Sequence, residues 1–319
     1  MPRLQFAFIA AMVIMVILST GCAYADPGAE ARVPFGAFLG SDAEGVEAFD
    51  GYDRWLGEDA EQPTVGHTYL PGHQWSDIED PELYVGPWAT WARQEASRQL
   101  VVNVPLLVPN EPPLEAGEVE DLLERGVQGE FDQSFTRLGE RLVDLGAERA
   151  ILVLGWEMNG STYTHRCSPE PEAWKKYWRS VVAALRSVPG QEFRFDYTAS
   201  RGTDSISWTR CYPGDDVVDI IGMDSYDQEP GSSFTDYRDQ PDGLADHAAF
   251  ARERGKPVSF PEWGLSEEHG DRPEFVRAML EWMEDQPTVY QTITDYCPHG
   301  VYQCDAHPDS AATYLEHYR

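Results

Sequence analysis

Lysine is scarce in this 319-residue chain: Lys175, Lys176 and Lys256 are its whole complement. Arginine supplies the other side-chain cations, and 24 basic residues face 55 acidic ones, a net charge of −31. A surface so poor in cations repels phosphate backbones, which argues against a nucleic-acid partner. The same bias fits a GC-rich genome or a salt-adapted surface, and neither bears on chemistry. No C-x-x-C pair occurs, so zinc-ribbon or redox chemistry is the weaker reading and no metal is expected. The first apolar segment ends Phe38-Leu39-Gly40-Ser41-Asp42, which is no G-x-G-x-x-G and weighs against an open doubly wound sheet. No Ser/Gly/Pro linker, low-complexity tract or short repeat divides the chain. With 42% hydrophobic and 12% aromatic residues, it is rich enough in apolar side chains to build a large core.

The N-terminus reads as an export signal. Arg3 precedes an uncharged apolar run from Phe6 to Leu18, short of the roughly 20 residues of a spanning helix. Ala23-Tyr24-Ala25 offers a cleavage site before Asp26, which makes residues 1–25 a signal peptide and 26–32 a leader. A second reading is lipidation at Cys22, although Ser19 stands where a lipobox carries an aliphatic residue. The expected location is therefore extracellular, or the cell surface through Cys22, with the membrane touched only by the signal or the lipid. Cleavage after Ala25 leaves Cys167, Cys211, Cys297 and Cys304. An even count in an exported chain suggests disulfides, with three pairings open.

From Val33 onward, short apolar runs alternate with helical patterns. The strand candidates are Val33–Leu39, Thr64–Leu70, Leu100–Val108, Ala150–Gly155, Phe193–Ser200, Val217–Asp224, Pro257–Pro261 and Tyr290–Thr294. Many are continuously apolar, as strands covered on both faces are. Helical spacing marks Gly129–Leu145, Pro171–Val188, Leu244–Arg254 and Pro273–Met283. Eight such strands predict a single α/β domain over 33–319, a (β/α)₈ TIM barrel. An open doubly wound sheet is the runner-up.

The active site of such a barrel lies at the C-terminal ends of its strands. The fourth strand leads into Trp156-Glu157-Met158-Asn159-Gly160 and the seventh into Glu262-Trp263-Gly264, each placing a carboxylate beside an indole. The sixth ends in Asp224-Ser225-Tyr226-Asp227. Two carboxylates facing each other across a barrel mouth suit cleavage of a glycosidic bond. One protonated acid serves the leaving oxygen, and one ionised carboxylate serves the anomeric carbon.

Leu154-Gly155-Trp156-Glu157-Met158-Asn159-Gly160, Gly222-Met223-Asp224-Ser225-Tyr226-Asp227 and Phe260-Pro261-Glu262-Trp263-Gly264 resemble glycoside hydrolase family 26. So do Gly129-Glu130-Phe131-Asp132 and the Trp174/Trp178-Arg179 helix, and the resemblance runs from about Val33 to Thr294. It implies a retaining (β/α)₈ enzyme without a cofactor, most often an endo-β-1,4-mannanase and in other members a β-glucanase or xylanase. By that resemblance Glu157 is the acid/base, Glu262 the nucleophile, Tyr226 the tyrosine that hydrogen-bonds the nucleophile, and Asp224 the acidic residue two before it. Typical mannanases of the family carry His, Arg and Trp where this chain has Trp156, Val153 and Thr162. These departures fall in the sugar subsites and bear on which glycan is cut.

Trp75, Tyr163, Trp208, Trp263 and Tyr296 are candidate stacking surfaces for sugars, with Trp156 and Asn159 beside the acid/base. His67 and His73 follow the second strand and are candidates to reach substrate hydroxyls; His165 reads as a loop residue. In a barrel, the loops after strands four and five are neighbours, which suggests Cys167–Cys211, leaving Cys297–Cys304 as a local loop. The sequence thus points to an exported, monomeric endo-β-glycosidase whose partner is a polysaccharide. Two rivals are a carbohydrate-binding barrel without turnover and a solute-binding lipoprotein held by Cys22. The latter needs two lobes and a hinge, and the even β/α rhythm shows neither.

Overall fold

The computed structural model describes residues 32–319; the expected signal segment and nearly all of the leader lie outside the described residues. Eight parallel strands close on themselves in sequence order: β1 (Phe35–Phe38), β2 (Val65–Tyr69), β3 (Gln99–Val104), β4 (Ile151–Leu154), β5 (Arg194–Ser200), β6 (Ile220–Tyr226), β7 (Val258–Gly264) and β8 (Thr288–Thr294). The α-helices are α1 (Ala43–Leu56), α2 (Trp75–Glu79), α3 (Glu82–Ala92), α4 (Ala116–Val127), α5 (Asp132–Asp144), α6 (Pro171–Arg186), α7 (Phe234–Asp239), α8 (Leu244–Glu253), α9 (Pro273–Glu284) and α10 (Pro308–Tyr318). The fold is the expected (β/α)₈ barrel.

The continuous apolar runs have the expected cause. In β4, Ile151 and Val153 face the barrel interior with Val65, Val101, Ile220 and Tyr290, whereas Leu152 and Leu154 join the layer between sheet and helices. Both faces are dry, so both must be apolar. The helices supply the outer half of that layer. In α6, Trp174, Trp178, Val181, Val182 and Leu185 are buried, Pro171 occupies the first turn, and Glu170 caps it by accepting from the Glu172 N–H.

Element ends moved where proline or turn chemistry intervened. β3 stops at Val104 because Pro105 has no N–H for the ladder. α5 begins at Asp132 rather than Gly129, since Gly129 has φ +83° and belongs to the preceding turn. β7 runs through Pro261 instead of ending there. Its register against β6 shifts between Gly222 and Ser225, and against β8 between Phe260 and Trp263. Pro261 sits in that irregular stretch, where a missing N–H breaks no regular ladder.

The chain bonds Cys167 to Cys211, with Cα atoms 6.1 Å apart, and Cys297 to Cys304, at 4.9 Å. The first joins the loops after β4 and β5; the second closes the turn after β8.

Candidate active site at the barrel mouth

Glu157 is presented by a tight turn. Gly155 (φ +59°) reverses the chain leaving β4, and Glu157 itself adopts φ +52°, a left-handed conformation rare for a glutamate. Its N–H donates to Thr198 O of β5 at 3.0 Å, and its carbonyl accepts from Gly160 N at 3.0 Å. Asn159 locks the same turn to the end of β5. Its amide donates to Ser200 O (3.0 Å) and Gly202 O (3.2 Å) and accepts from Ser200 N (3.0 Å). Fully buried and so engaged, Asn159 supports the turn and does not face a sugar.

Glu262 is presented by the irregular stretch of β7. Out of register with both neighbours, its N–H donates to the Asp224 carboxylate (Oδ1, 2.9 Å). Its Oε2 accepts from the Tyr226 hydroxyl at 2.8 Å, and that hydroxyl accepts in turn from Thr294 Oγ1 at 2.7 Å. Oε1 has no hydrogen bond of its own. Both glutamates are partly open to solvent.

The two carboxyls interact, and their surroundings separate them. Burial, then the negative charge of Glu262, pushes Glu157 up to about 8; Ser200 opposes this weakly. Burial also raises Glu262, but the hydroxyls of Tyr69 and Tyr226 both favour its ionised form. Asp224 is driven well above the usual carboxylate range by burial and then by the charges of Glu262 and Glu157. Burial and the charge opposite thus favour the protonated form of Glu157, while two hydroxyls favour the ionised form of Glu262, the division of labour that glycoside cleavage requires.

Aromatic rings line the mouth. Trp156, 4% exposed, caps the barrel interior against Tyr69 (5.6 Å between ring centres), Tyr163 (4.9 Å) and His165 (4.9 Å). Tyr163 is half-buried; burial and the charge of Glu157 raise its hydroxyl pKa. Tyr296 is 46% exposed and feels Glu262 and Glu157 in the same sense. Both rings keep exposed surface beside the two glutamates.

Several expected contacts are corrected. Trp263 is 0% exposed and points away from the mouth, because neighbours along a strand face opposite sides; its Nε1 donates to Gln291 Oε1 at 2.6 Å. Trp208, 1% exposed, donates to Asp242 O at 3.0 Å and packs on Phe250, fastening the loop after β5 to α8. Trp75 is not among these: it stacks on Phe131 at 4.6 Å and stays partly exposed. His67 is 0% exposed, held between Thr292 Oγ1 (2.9 Å) and Asn103 Oδ1 (2.8 Å), and burial lowers its pKa to about 4. It is a neutral prop inside the barrel without access to substrate hydroxyls. His165 is likewise buried and neutral, bonded through Nε2 to Trp156 O at 2.8 Å.

Tyr69 and Thr294 belong to the site without standing out in the sequence. Their signal was the period of two: Tyr69 follows His67 by two in β2, and Thr294 follows Thr292 by two in β8, so each shares the inward face. Among the described residues, no group of three or more His, Cys, Asp or Glu side chains is arranged to hold a metal ion.

The glycosyl hydrolase family 26 profile matches residues 138–289, from α5 into β8, a span containing both glutamates. The YdhT protein of Bacillus subtilis is 16% identical, with a TM-score of 0.64 over 88% of this chain and 84% of that one. A GH26 β-mannanase of Bacteroides ovatus, BoMan26A, is 14% identical, with a TM-score of 0.65 over 91% and 89%. The catalytic domain of the GH26 endo-β-1,4-mannanase of Bacillus sp. JAMB-750 is 17% identical, with a TM-score of 0.63 over 90% and 85%. No curated protein matches the chain by sequence. The structural likenesses carry the barrel fold, and over the segment that presents both carboxyls the chain is similar to glycosyl hydrolase family 26.

Proposed function

We propose that this protein is an exported, retaining endo-β-glycosidase that cuts a β-1,4-mannan, with Glu157 as acid/base and Glu262 as nucleophile. The observation that carries the reading is the unequal environment of the two carboxyls. Glu157 is kept protonated by burial and by the charge opposite, and Glu262 is held ionised by Tyr226. Oε2 is occupied by that tyrosine, which leaves Oε1 to attack.

In the first step Glu262 Oε1 bonds to the anomeric carbon as the glycosidic C–O bond breaks. The leaving oxygen takes its proton from Glu157. In the second step Glu157, now ionised, removes a proton from water. That water attacks the same carbon and expels Glu262, restoring both groups. Two inversions give net retention, which requires the carboxyls to stand about 5–5.5 Å apart.

Mannan is favoured by the mannanases among the structural relatives. Trp156, Val153 and Thr162 alter the subsites around that choice, so the substrate is settled by a panel. Export is favoured by the apolar N-terminal run and by two disulfides, which persist in oxidising compartments. The mature chain either leaves the cell or stays at its surface through Cys22.

The test is reducing-end release with product sizing on mannan, mixed-linkage β-glucan and xylan. Wild type releases oligosaccharides of several lengths, Glu262→Ala releases none, and azide restores turnover of the variant with an inverted glycosyl azide. Binding of glycans without release across the panel would establish the non-catalytic reading instead.

A further inference from the structure

The backbone that carries Glu262 is not fixed by its own sheet. Pro261 and Glu262 fall in the stretch where β7 loses register with β6 and with β8, and pairing resumes only at Trp263, opposite Ser225 and Ile293, so regular ladder bonds do not hold the residue that carries the carboxylate. Side chains from both faces of β8 do so. On the inner face, Thr292 Oγ1 donates to the Pro261 carbonyl. On the outer face, Trp263 Nε1 donates to Gln291 Oε1 at 2.6 Å, and Gln291 Nε2 donates to the Tyr318 hydroxyl at 2.6 Å. Tyr318 lies flat on Phe35 of β1, 3.8 Å away with the rings 13° from parallel.

Gln291 uses its acceptor toward β7 and its donors toward α10, so its amide fixes the spacing between them. All three side chains are buried, where an unmet polar group costs about 1–3 kcal/mol. The indole also sits one residue from the attacking carboxylate, on the opposite face. A shift of the Trp263 main chain, which the indole anchors, shifts Glu262 with it.

We propose that Gln291 and Tyr318 are positioning residues for Glu262: a relay from α10 through Gln291 to the Trp263 indole sets the angle from which the carboxylate reaches the sugar. The relay rests on reading Glu262 as the nucleophile. Neither residue touches substrate, since both lie on the helix side of the sheet.

The full chain carrying Gln291→Leu or Tyr318→Phe is assayed for kcat, KM and Tm on the polysaccharide that wild type cuts. Tyr52→Phe is the comparison, because it deletes a buried hydroxyl of the same tyrosine cluster, bonded to Tyr314 at 2.5 Å and not to Gln291. A displacement of about 1 Å costs up to about 10²-fold in rate. The expected kcat losses are about 10–100-fold for Gln291→Leu and about 3–10-fold for Tyr318→Phe, with KM within about twofold. Tyr52→Phe lowers Tm and keeps kcat. Tyr318→Phe retains the ring on Phe35, so it decides the matter even where Gln291→Leu fails to fold. Wild-type kcat in folded Tyr318→Phe, or an equal kcat loss in Tyr52→Phe at equal Tm, overturns the relay. Glu262→Ala in the same assay separates the two claims. Residual wild-type activity there removes the nucleophile, whereas a dead Glu262→Ala beside a fully active Tyr318→Phe removes the relay alone.

Discussion

Tyr226→Phe deletes one oxygen and leaves the ring in place. That oxygen donates to Glu262 Oε2 at 2.8 Å and is itself supported by Thr294 at 2.7 Å. A hydrogen bond to a charged group contributes about 1.5–3 kcal/mol. Since one pKa unit is 1.36 kcal/mol, the loss corresponds to about 1–2 units. The sign follows from which form the bond favours. Tyr226 stabilises the ionised carboxylate, so its removal raises the pKa, and a larger share of enzyme is protonated and inert on the acid side. The acid limb of the kcat/KM profile should move toward neutrality by about 1–2 units. At its optimum the variant should lose about 10–100-fold, since the same bond orients the attacking oxygen. The limb reports the coupled pair of carboxyls rather than one residue, but only its acid side moves, because Tyr226 does not bond Glu157. The assay is reducing-end release across a buffer series of constant ionic strength. A variant with reduced rate and an unmoved acid limb would refute the claim that this hydroxyl holds the nucleophile ionised.

Glu157→Gln keeps shape and removes the proton. Its turnover of unactivated polysaccharide should fall by about 10²–10⁴-fold, the usual worth of general acid–base catalysis, while an aryl glycoside with an acidic leaving group still forms the glycosyl–enzyme. Azide should then accelerate release with a retained product; equal losses on both substrates would contradict the acid role. The disulfides should differ in worth. Loop-closure entropy assigns about 4 kcal/mol to Cys167–Cys211, which spans 44 residues, and about 2.4 kcal/mol to Cys297–Cys304, which spans 7. Paired Cys→Ser variants compared by urea denaturation should rank in that order, and the reverse order would show that native-state packing outweighs chain entropy.

The barrel was legible because a closed parallel sheet is dry on both faces, and eight apolar runs such as Ile151–Leu154 carry that signature. The carboxyl pair was legible because each follows or ends such a run. Side-chain direction around the site was harder to read. Trp263 was expected to meet sugar because it adjoins Glu262, yet adjacency along a strand places it on the other face. Trp208 was expected at the mouth because its loop is, yet its indole turns outward to α8. Tyr69 went unmarked because nothing in its neighbourhood of sequence announces a partner that lies almost two hundred positions away, on the far wall of the barrel. The end of β7 was misjudged for a related reason: Pro261 reads as a terminator, and only the slipped register of two neighbouring strands makes room for it.

The left-handed backbone at Glu157 has a bearing on the history of the molecule. Holding a side chain other than glycine there costs on the order of 1–3 kcal/mol, and asparagine or glycine would tolerate the same angles more comfortably. A descendant that had ceased to turn over substrate would gain stability from that exchange and lose nothing by it. The strain falls on the residue proposed as the acid, and that weighs against reading this barrel as a retired one.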